Sequence, residues 1–294
     1  LYGYQLIETA AFEFFDIFSK DRGSVSSREM FKFFDRDNNT LVLKPDMTPA
    51  IARCVSKYFS EETMPIRLCY LERTYTNNFS YQGRLKETTQ TGAEMIGDDS
   101  SDADAEMIAM VADCLKSAGL KEFQVELGQV EFYRGLVEEA GLDQSTQDEL
   151  RELIENKNFF GVEELLNAVE IKDDLKALFL KLPKLFGSIE QIREARAMTT
   201  NQRALFAIDR LEKVHQILEH YGLSDYISFD LGMLSKYQYY TGIIFKAYTY
   251  GTGDYIVTGG RYDRLLEQFG KKAPAVGFAI VVDRLLMALS SQDL

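Results

Sequence analysis

Strand-like and helical patterns of apolar residues alternate in blocks along the chain. In the first block, strand-like runs lie at residues 30–34, 40–43, 66–76, 87–96 and 123–129. The polar segment DRDNN between the first two runs suits a turn, so these runs are predicted to form a hairpin. The first 18 residues instead carry apolar positions on a helical or mixed period.

Two helices are predicted within the same block. Residues 48–60 have Thr48 as a candidate cap and Pro49 at the first helical position, and their apolar residues repeat on one face. Residues 102–118 form the second helix, which Gly119 ends. Four aspartates lie around its start, at Asp98, Asp99, Asp102 and Asp104. The helix dipole favours negative charge there, and a metal site is the alternative interpretation.

The pattern becomes helical between residues 142 and 221. Leu, Glu, Lys and Asp recur there at three- and four-residue spacing, which predicts an all-helical insertion. Strand-like runs return at 226–230, 242–250 and 255–260, and a glycine-to-helix unit closes the chain. The predicted domains are therefore a core, residues 1–141 and 222–294, and a helical insertion, residues 142–221.

The order of these runs predicts the fold class. Strands joined by hairpins and long excursions, without regular alternation of strand and helix, are typical of an α+β fold in which helices flank an antiparallel sheet.

Composition narrows the set of partners. The net charge is −13, whereas nucleic acid binding depends on Lys and Arg, so no nucleic acid partner is expected. No apolar run reaches the roughly 18 residues that span a bilayer, and no basic segment precedes an apolar stretch at the start. The three cysteines lie far apart without metal-type spacing. We expect a cytoplasmic protein, away from the membrane, with reduced core thiols.

Polar residues on otherwise apolar strands form the candidate site. They are Asp46, Thr48, Gln90, Glu94, Tyr239, Tyr240 and Arg261, with Gly259 and Gly260 directly before the arginine. Gln90 and Glu94 are four residues apart, so on a strand they face the same side. Two carboxylates, an amide and two phenols in one cavity would prefer a ligand with cationic groups, such as an amino acid with a basic side chain. The alternative is a polar sheet face that meets water, although glycine within a strand often marks the close approach of a ligand or another backbone.

Other kinds of site are not supported. The two histidines, His215 and His220, are five residues apart on one predicted helix, so neither a catalytic triad nor a histidine metal site is expected. The sequence has no Walker-type phosphate loop and no GxGxxG segment after a strand. We predict no metal and no cofactor.

Five segments, in order, resemble the catalytic domain of histidyl-tRNA synthetase: TLVLKPDMTPAIAR, QGRLKETTQTGAEMIG, YYTGIIF, GGRYDRLLEQFG and AVGFAIVVDRLL. The resemblance spans nearly the whole chain and implies the class II aminoacyl-tRNA synthetase fold, which is usually dimeric. That family includes the synthetases and a non-catalytic paralogue, the regulatory subunit of ATP phosphoribosyltransferase. By the resemblance, the paralogue partners a short catalytic subunit in the first step of histidine biosynthesis.

The positions with which the synthetases form the adenylate differ here. Their Phe-Arg-x-Glu motif, whose arginine grips the α-phosphate of ATP, corresponds to residues 75–78, so the arginine is Thr76 and the glutamate is Asn78. Their Arg-Gly-Leu-Asp-Tyr-Tyr motif corresponds to residues 235–240, so a second arginine is Ser235, and the neighbouring Lys236 cannot replace its forked guanidinium. Each lost donor typically costs on the order of 3 kcal/mol, so catalysis by this chain is not expected. A third arginine corresponds to Arg284.

The positions that correspond to the amino-acid-binding residues of the synthetases are similar here. Asp46 corresponds to a synthetase glutamate, and Thr48, Gln90, Glu94 and Tyr240 are the same residues as in the family. The resemblance therefore implies a pocket that holds histidine. One departure is that Ala10 and Ala11 stand where the first motif usually has proline, which leaves the dimer contact open.

The regulatory subunit is the member of the family that we expect. The resemblance implies assembly with the short catalytic subunit into a hetero-octamer, activation of that subunit and feedback inhibition by histidine. The chain ends after DRLLMALSSQDL, so no C-terminal anticodon-binding domain is expected. The alternative is a truncated histidyl-tRNA synthetase domain that activates histidine with ATP.

Overall fold

The structure is a computed structural model that describes residues 2–19, 25–59, 61–78, 85–235 and 239–292. The described strands are β1 (Gln5–Leu6), β2 (Phe12–Phe14), β3 (Lys32–Phe34), β4 (Thr40–Leu43), β5 (Ile66–Tyr75), β6 (Glu87–Ile96), β7 (Gln124–Gln129), β8 (Phe186–Gly187), β9 (Ile227–Asp230), β10 (Ile243–Tyr248), β11 (Val257–Arg261) and β12 (Ala275–Val281). The helices are α1 (Asp16–Ser19), α2 (Thr48–Tyr58), α3 (Ser101–Ser117), α4 (Val130–Ala140), α5 (Gln144–Glu155), α6 (Phe159–Asn167), α7 (Asp173–Lys181), α8 (Ile189–Ala197), α9 (Gln202–His220) and α10 (Val282–Ser291).

One large sheet organises the described residues. Its strand order is β1-β5-β6-β12-β11-β10-β7-β9-β8, and β2-β4-β3 form a small separate sheet. Most neighbours are antiparallel, whereas β1 pairs with β5, and β7 with β9, in parallel. The predicted α+β fold, a largely antiparallel sheet flanked by helices, is confirmed.

Most predicted strands agree with the structure to within a few residues. The run predicted at 87–96 is β6 itself. The prediction was wrong at β12, which the sequence pattern assigned to a glycine-to-helix unit although it lies between β6 and β11 in the sheet. A continuous apolar run such as AVGFAIV cannot be distinguished from a buried helix by periodicity alone.

Helices and apolar side chains cover both faces of the large sheet. On one face, α3, α4 and α9 pack together, and the buried apolar cluster includes Phe245 and Phe278 of the sheet and continues into α5–α8. On the other face, a second cluster joins α2 to strand residues such as Leu68 and Ile244. Most candidate site residues lie on this second face, whereas Gly259 and Arg261 face the first.

The predicted insertion, residues 142–221, is mostly helical where described. It contains α5–α9 and also the two-residue strand β8, which pairs with β9 and forms one edge of the large sheet. The division of the chain into a core domain and an insertion stays a prediction.

The described residues also bear on the expectations about membrane spans, metal sites and cysteines. In the part of the chain that the structure describes, no helix has the length and apolarity needed to cross a membrane. Nor do His, Cys, Asp or Glu side chains of the described residues form a group of three or more that could hold a metal ion. The cysteines are free thiols, but Cys114 is exposed, so the expectation of core thiols was wrong for this residue.

A buried ion cluster ties α3, α9 and β11 together. Asp104 has no exposed side-chain surface, and it accepts hydrogen bonds from Arg261 Nε at 2.8 Å and Arg210 Nε at 2.7 Å. Arg210 also donates to the carbonyl oxygen of Ser100 at 2.7 Å. Asp104 thus pairs with two guanidinium groups that are mostly removed from water, and Asp263 is a second partner of Arg261.

We predict that Asp104→Asn destabilises the protein by about 3 kcal/mol, because an amide NH₂ would face a guanidinium and leave buried charge uncompensated. Urea unfolding at neutral pH measures the change in free energy of unfolding. Asp102→Asn, an exposed position on the same helix, is the matched control. Equal stability of the two variants would contradict this account of the cluster.

Candidate functional site

The candidate site lies on a part of the large sheet where two neighbouring strands, β11 and β12, each have a glycine. Glu94 of β6 lies opposite Gly277 of β12, which lies opposite Gly260 of β11. Residues directly opposite on neighbouring strands face the same side of a sheet. A Cβ atom at Gly277 would lie 1.6 Å from Glu94 Oε2, and one at Gly260 would lie 2.7 Å from Tyr240 Cε1. The two glycines therefore make room for these two side chains.

Glu94 is the most buried carboxyl group of the predicted set, with 1% of its surface exposed. Thr48 Oγ1 donates to its Oε1 at 2.9 Å, and the Tyr262 hydroxyl donates to its Oε2. Burial raises the pKa of Glu94 to about 8, because removal from water penalises the charged form more than these two donors stabilise it. The carboxyl group is thus mostly protonated at neutral pH.

Asp46 and the two tyrosines close the same pocket from above the sheet. Asp46 lies just before α2, accepts from the backbone N–H of Thr48 at 3.1 Å and accepts from the Tyr239 hydroxyl at 3.2 Å. The rings of Tyr239 and Tyr240 are 4.8 Å apart between centroids. Burial, with a contribution from Asp46, raises the pKa of Tyr240, so its phenol stays neutral and can donate a hydrogen bond.

These residues border a cavity of ≈ 660 Å³, the first cavity. The predicted residues that line it are Asp46, Thr48, Gln90, Tyr239, Tyr240, Gly259 and Gly260. Glu94 lies beneath it, behind Thr48. The lining residues that the sequence analysis missed include Thr258, Tyr262 and Gly277. Tyr262 was detectable as the second residue after Gly260, but its contact with Glu94 depends on strand register.

The structure does not bring Arg261 to this cavity. Successive strand residues face opposite sides, so Arg261 projects to the other face of the sheet from Gly260. Its guanidinium donates to Asp104 and Asp263, which leaves it a structural role. Gly259 also faces the far side, where a Cβ atom would lie 2.4 Å from the ring of Phe245, although its backbone borders the first cavity.

The other end of the first cavity contains the positions that differ from the synthetases. Thr76 and Asn78 line it, together with Asp283 and Arg284. Arg284 is already engaged, because it donates to the Tyr255 carbonyl oxygen at 2.6 Å and pairs with Asp254 at 2.8 Å.

Charge in the first cavity is mainly negative. Among the described lining residues, Arg284 is the one arginine or lysine, and the carboxylates are those of Glu29, Asp46, Asp254 and Asp283. A polyphosphate chain would therefore meet more negative than positive charge here.

Three residues of the 235–240 segment, Lys236, Tyr237 and Gln238, lie outside the described residues.

Ser235, where the synthetases have their second arginine, does not line the first cavity. It lines an adjoining cavity of ≈ 870 Å³, the second cavity, which extends over β10 and β7. The two cavities share Tyr240, Thr258 and Arg284 in their linings.

A largely antiparallel sheet whose open face carries these side chains, with helices packed behind it, is the class II aminoacyl-tRNA synthetase fold. Comparison with known proteins supports this class. The family profile described as histidyl-tRNA synthetase matches residues 1–285. A histidine–tRNA ligase subunit from Alicyclobacillus acidocaldarius has a solved structure with a TM-score of 0.84 and 29% identity, which covers 99% of this chain and 89% of that chain.

Two further relatives narrow the family. An ATP phosphoribosyltransferase regulatory subunit from Acetivibrio thermocellus is 44% identical over 290 residues, which are 99% of this chain and 69% of the relative. A structure described as an ATP phosphoribosyltransferase regulatory subunit/histidyl-tRNA synthetase, from Bacillus halodurans, has a TM-score of 0.91 and 35% identity, and covers 98% of this chain and 75% of that chain. The chain belongs to the histidyl-tRNA synthetase family and, within it, to the ATP phosphoribosyltransferase regulatory subunits.

Glu94 should make stability depend on pH. Its folded-state pKa of about 8 lies above its ordinary value of 4.5, so the folded protein holds this proton more tightly than the unfolded chain. The stabilisation is complete below the unfolded value and is lost as pH rises toward 8. We predict that Glu94→Gln removes this loss, so that the variant gains stability relative to the wild type as pH increases.

Urea unfolding of both proteins between pH 5 and pH 9, a window that brackets the pKa of about 8, measures this difference. The control is Glu87→Gln, an exposed carboxylate on the same strand. A constant stability difference between Glu94→Gln and the wild type across the window would show that Glu94 does not titrate in this way.

Proposed function

We propose that this chain is a non-catalytic regulatory subunit of ATP phosphoribosyltransferase, which a short-form catalytic subunit requires for activity in the first step of histidine biosynthesis. One observation carries the proposal. Groups that suit an amino acid surround one end of the first cavity, whereas the nucleotide end offers a single described cation that Asp254 already pairs.

Electrostatics argue against chemistry at the first cavity. Adenylate formation builds negative charge at the α-phosphate, and preorganised donors must stabilise that charge. Thr76 and Asn78 are neutral, and Ser235 lines the second cavity instead. Since each missing donor typically costs on the order of 3 kcal/mol, two such losses leave activation of histidine negligible.

Histidine is the proposed ligand of the amino-acid end. Its imidazole would lie against Tyr239 and Tyr240, and its charged or donor groups would meet Asp46 and Gln90, which line the first cavity, whereas Glu94 does not. Glu94 would act through Thr48, which lines the first cavity and whose hydroxyl donates to the Glu94 carboxyl group.

Regulation would follow from a shift between states of the complex. Histidine inhibits only if it binds one state more tightly than the other, and couplings of this kind are typically about 1 to 3 kcal/mol. The proposed assembly is a cytoplasmic hetero-octamer of regulatory and catalytic subunits, within which the regulatory chains form dimers. The net charge of −13 favours this role over tRNA binding.

We expect Thr48→Val to weaken histidine binding about tenfold, because the valine lacks the hydroxyl that orients Glu94. Histidine is titrated calorimetrically into the complex that this chain forms with the short catalytic subunit, which gives the dissociation constant of histidine. Thr76→Val is the matched control at the opposite end of the first cavity, and its affinity should stay within about twofold of wild type. Equal weakening by both variants would place histidine elsewhere.

Reconstitution tests the function itself. Mixing this chain with a short-form catalytic subunit should raise the rate of phosphoribosyl transfer from a near-zero level, and added histidine should lower that rate. A catalytic subunit whose rate is the same with and without this chain would refute the proposal. The control is this chain without the catalytic subunit, which should show no transfer.

A further inference from the structure

The floor of the second cavity is a row of polar side chains across the sheet. Thr258 of β11, Lys246 of β10 and Glu126 of β7 line this cavity and lie opposite one another in register, and Ser228 of β9 continues the row outside the lining. They therefore face the same side of the sheet as the first cavity. A polar row beneath a cavity of ≈ 870 Å³ indicates a binding surface.

The wall of the second cavity comes from the segment after α5 and from β8. Lys157 has a φ of 52°, a left-handed conformation that is uncommon for residues other than glycine. Its ammonium group donates to Asp230 at 2.7 Å and lies 5.1 Å from the centroid of the Phe186 ring. Phe159 and Tyr248 also line the cavity. The wall is thus aromatic and is fixed by an ion pair.

Most charges around the second cavity are compensated within the chain. Asp230 accepts from Lys157 and, at 2.7 Å, from the backbone N–H of Gly232. Arg284 and Asp254 pair with each other. Glu126 and Lys246 do not form such ion pairs with other described residues.

Among the described residues, Glu126 has neither a hydrogen bond nor an ion pair, and Lys246 contacts only the ring of Tyr255, at 5.4 Å from its centroid. Burial is the main cause that raises the pKa of Glu126; the charge of Asp230 raises this pKa further, whereas Lys157 and Lys246 lower it. A carboxylate and an ammonium group thus lie side by side on neighbouring strands.

We propose that the second cavity binds a small zwitterion of the α-amino-acid class, whose carboxylate meets Lys246 and whose ammonium group meets Glu126. A simple anion would face the carboxylates of Glu126, Glu155, Asp230 and Asp254, and a simple cation would face three basic side chains. A zwitterion satisfies both unpaired groups at once. The rings of Phe159, Phe186 and Tyr248 favour an aromatic side chain on that ligand.

The probes are L-phenylalanine, phenethylamine, which lacks the carboxylate, and 3-phenylpropionate, which lacks the ammonium group. Saturation-transfer NMR and calorimetric titration of the full chain should show saturable binding of L-phenylalanine, with each half-ligand at least about tenfold weaker. This comparison uses only the wild-type protein, so it does not depend on whether a variant folds.

Lys246→Met and Glu126→Gln should each weaken L-phenylalanine binding about tenfold, whereas Thr48→Val in the first cavity should leave it unchanged. Circular dichroism confirms that the variants are folded. The proposal is overturned if L-phenylalanine shows no saturable binding, if a half-ligand binds as tightly, or if Thr48→Val has the larger effect. A direct ion pair between Lys246 and Glu126 in solution would produce the first of these results.

Discussion

The first cavity depends on the space above Gly277, which the carboxyl group of Glu94 occupies. A side chain at position 277 would overlap that carboxyl, since its Cβ would lie 1.6 Å from Oε2. Glu94 in turn accepts from Thr48 at the start of α2 and from Tyr262 after β11. Asp46 then accepts from the backbone of Thr48 and from Tyr239. A single glycine on β12 thus supports contacts among α2, β6 and the segment before β10.

The sequence predicted features that depend on neighbouring residues of one element better than contacts between residues far apart in the chain. The shared face of Gln90 and Glu94 follows from their spacing on one strand, and β6 has the predicted bounds. Strand alternation alone places Arg261 on the opposite face of the sheet from Gly260, and the sequence analysis did not apply it there. The contact of Arg261 with Asp104 was not predictable, because it depends on how α3 packs on the sheet. β12 was missed because its apolar run lacks alternation.

The second cavity shows the same limit more strongly. Lys157, Glu126, Asp230 and Lys246 are far apart in the chain, and none belongs to a recognisable motif. Pairing of β7 with both β9 and β10 brings three of these residues together, and the segment after α5 adds the fourth. Sequence patterns describe single elements well, but they do not determine which charges remain uncompensated once the sheet forms.

The two ends of the first cavity account for a family in which related chains have different roles. At one end, hydroxyl, amide and carboxyl groups meet over the glycines. At the other end, neutral Thr76 and Asn78 accompany an Arg284 that Asp254 and the Tyr255 carbonyl already engage. Under the proposed function, this scaffold holds an amino acid but lacks the positive charge that activation by ATP requires.

The most direct test of this account is ATP–pyrophosphate exchange with histidine, measured on this chain beside an authentic histidyl-tRNA synthetase. We predict that the folded chain, supplied with histidine and ATP, exchanges no more label than a reaction without protein. Histidine-dependent exchange at a rate comparable to that of the synthetase would contradict the account.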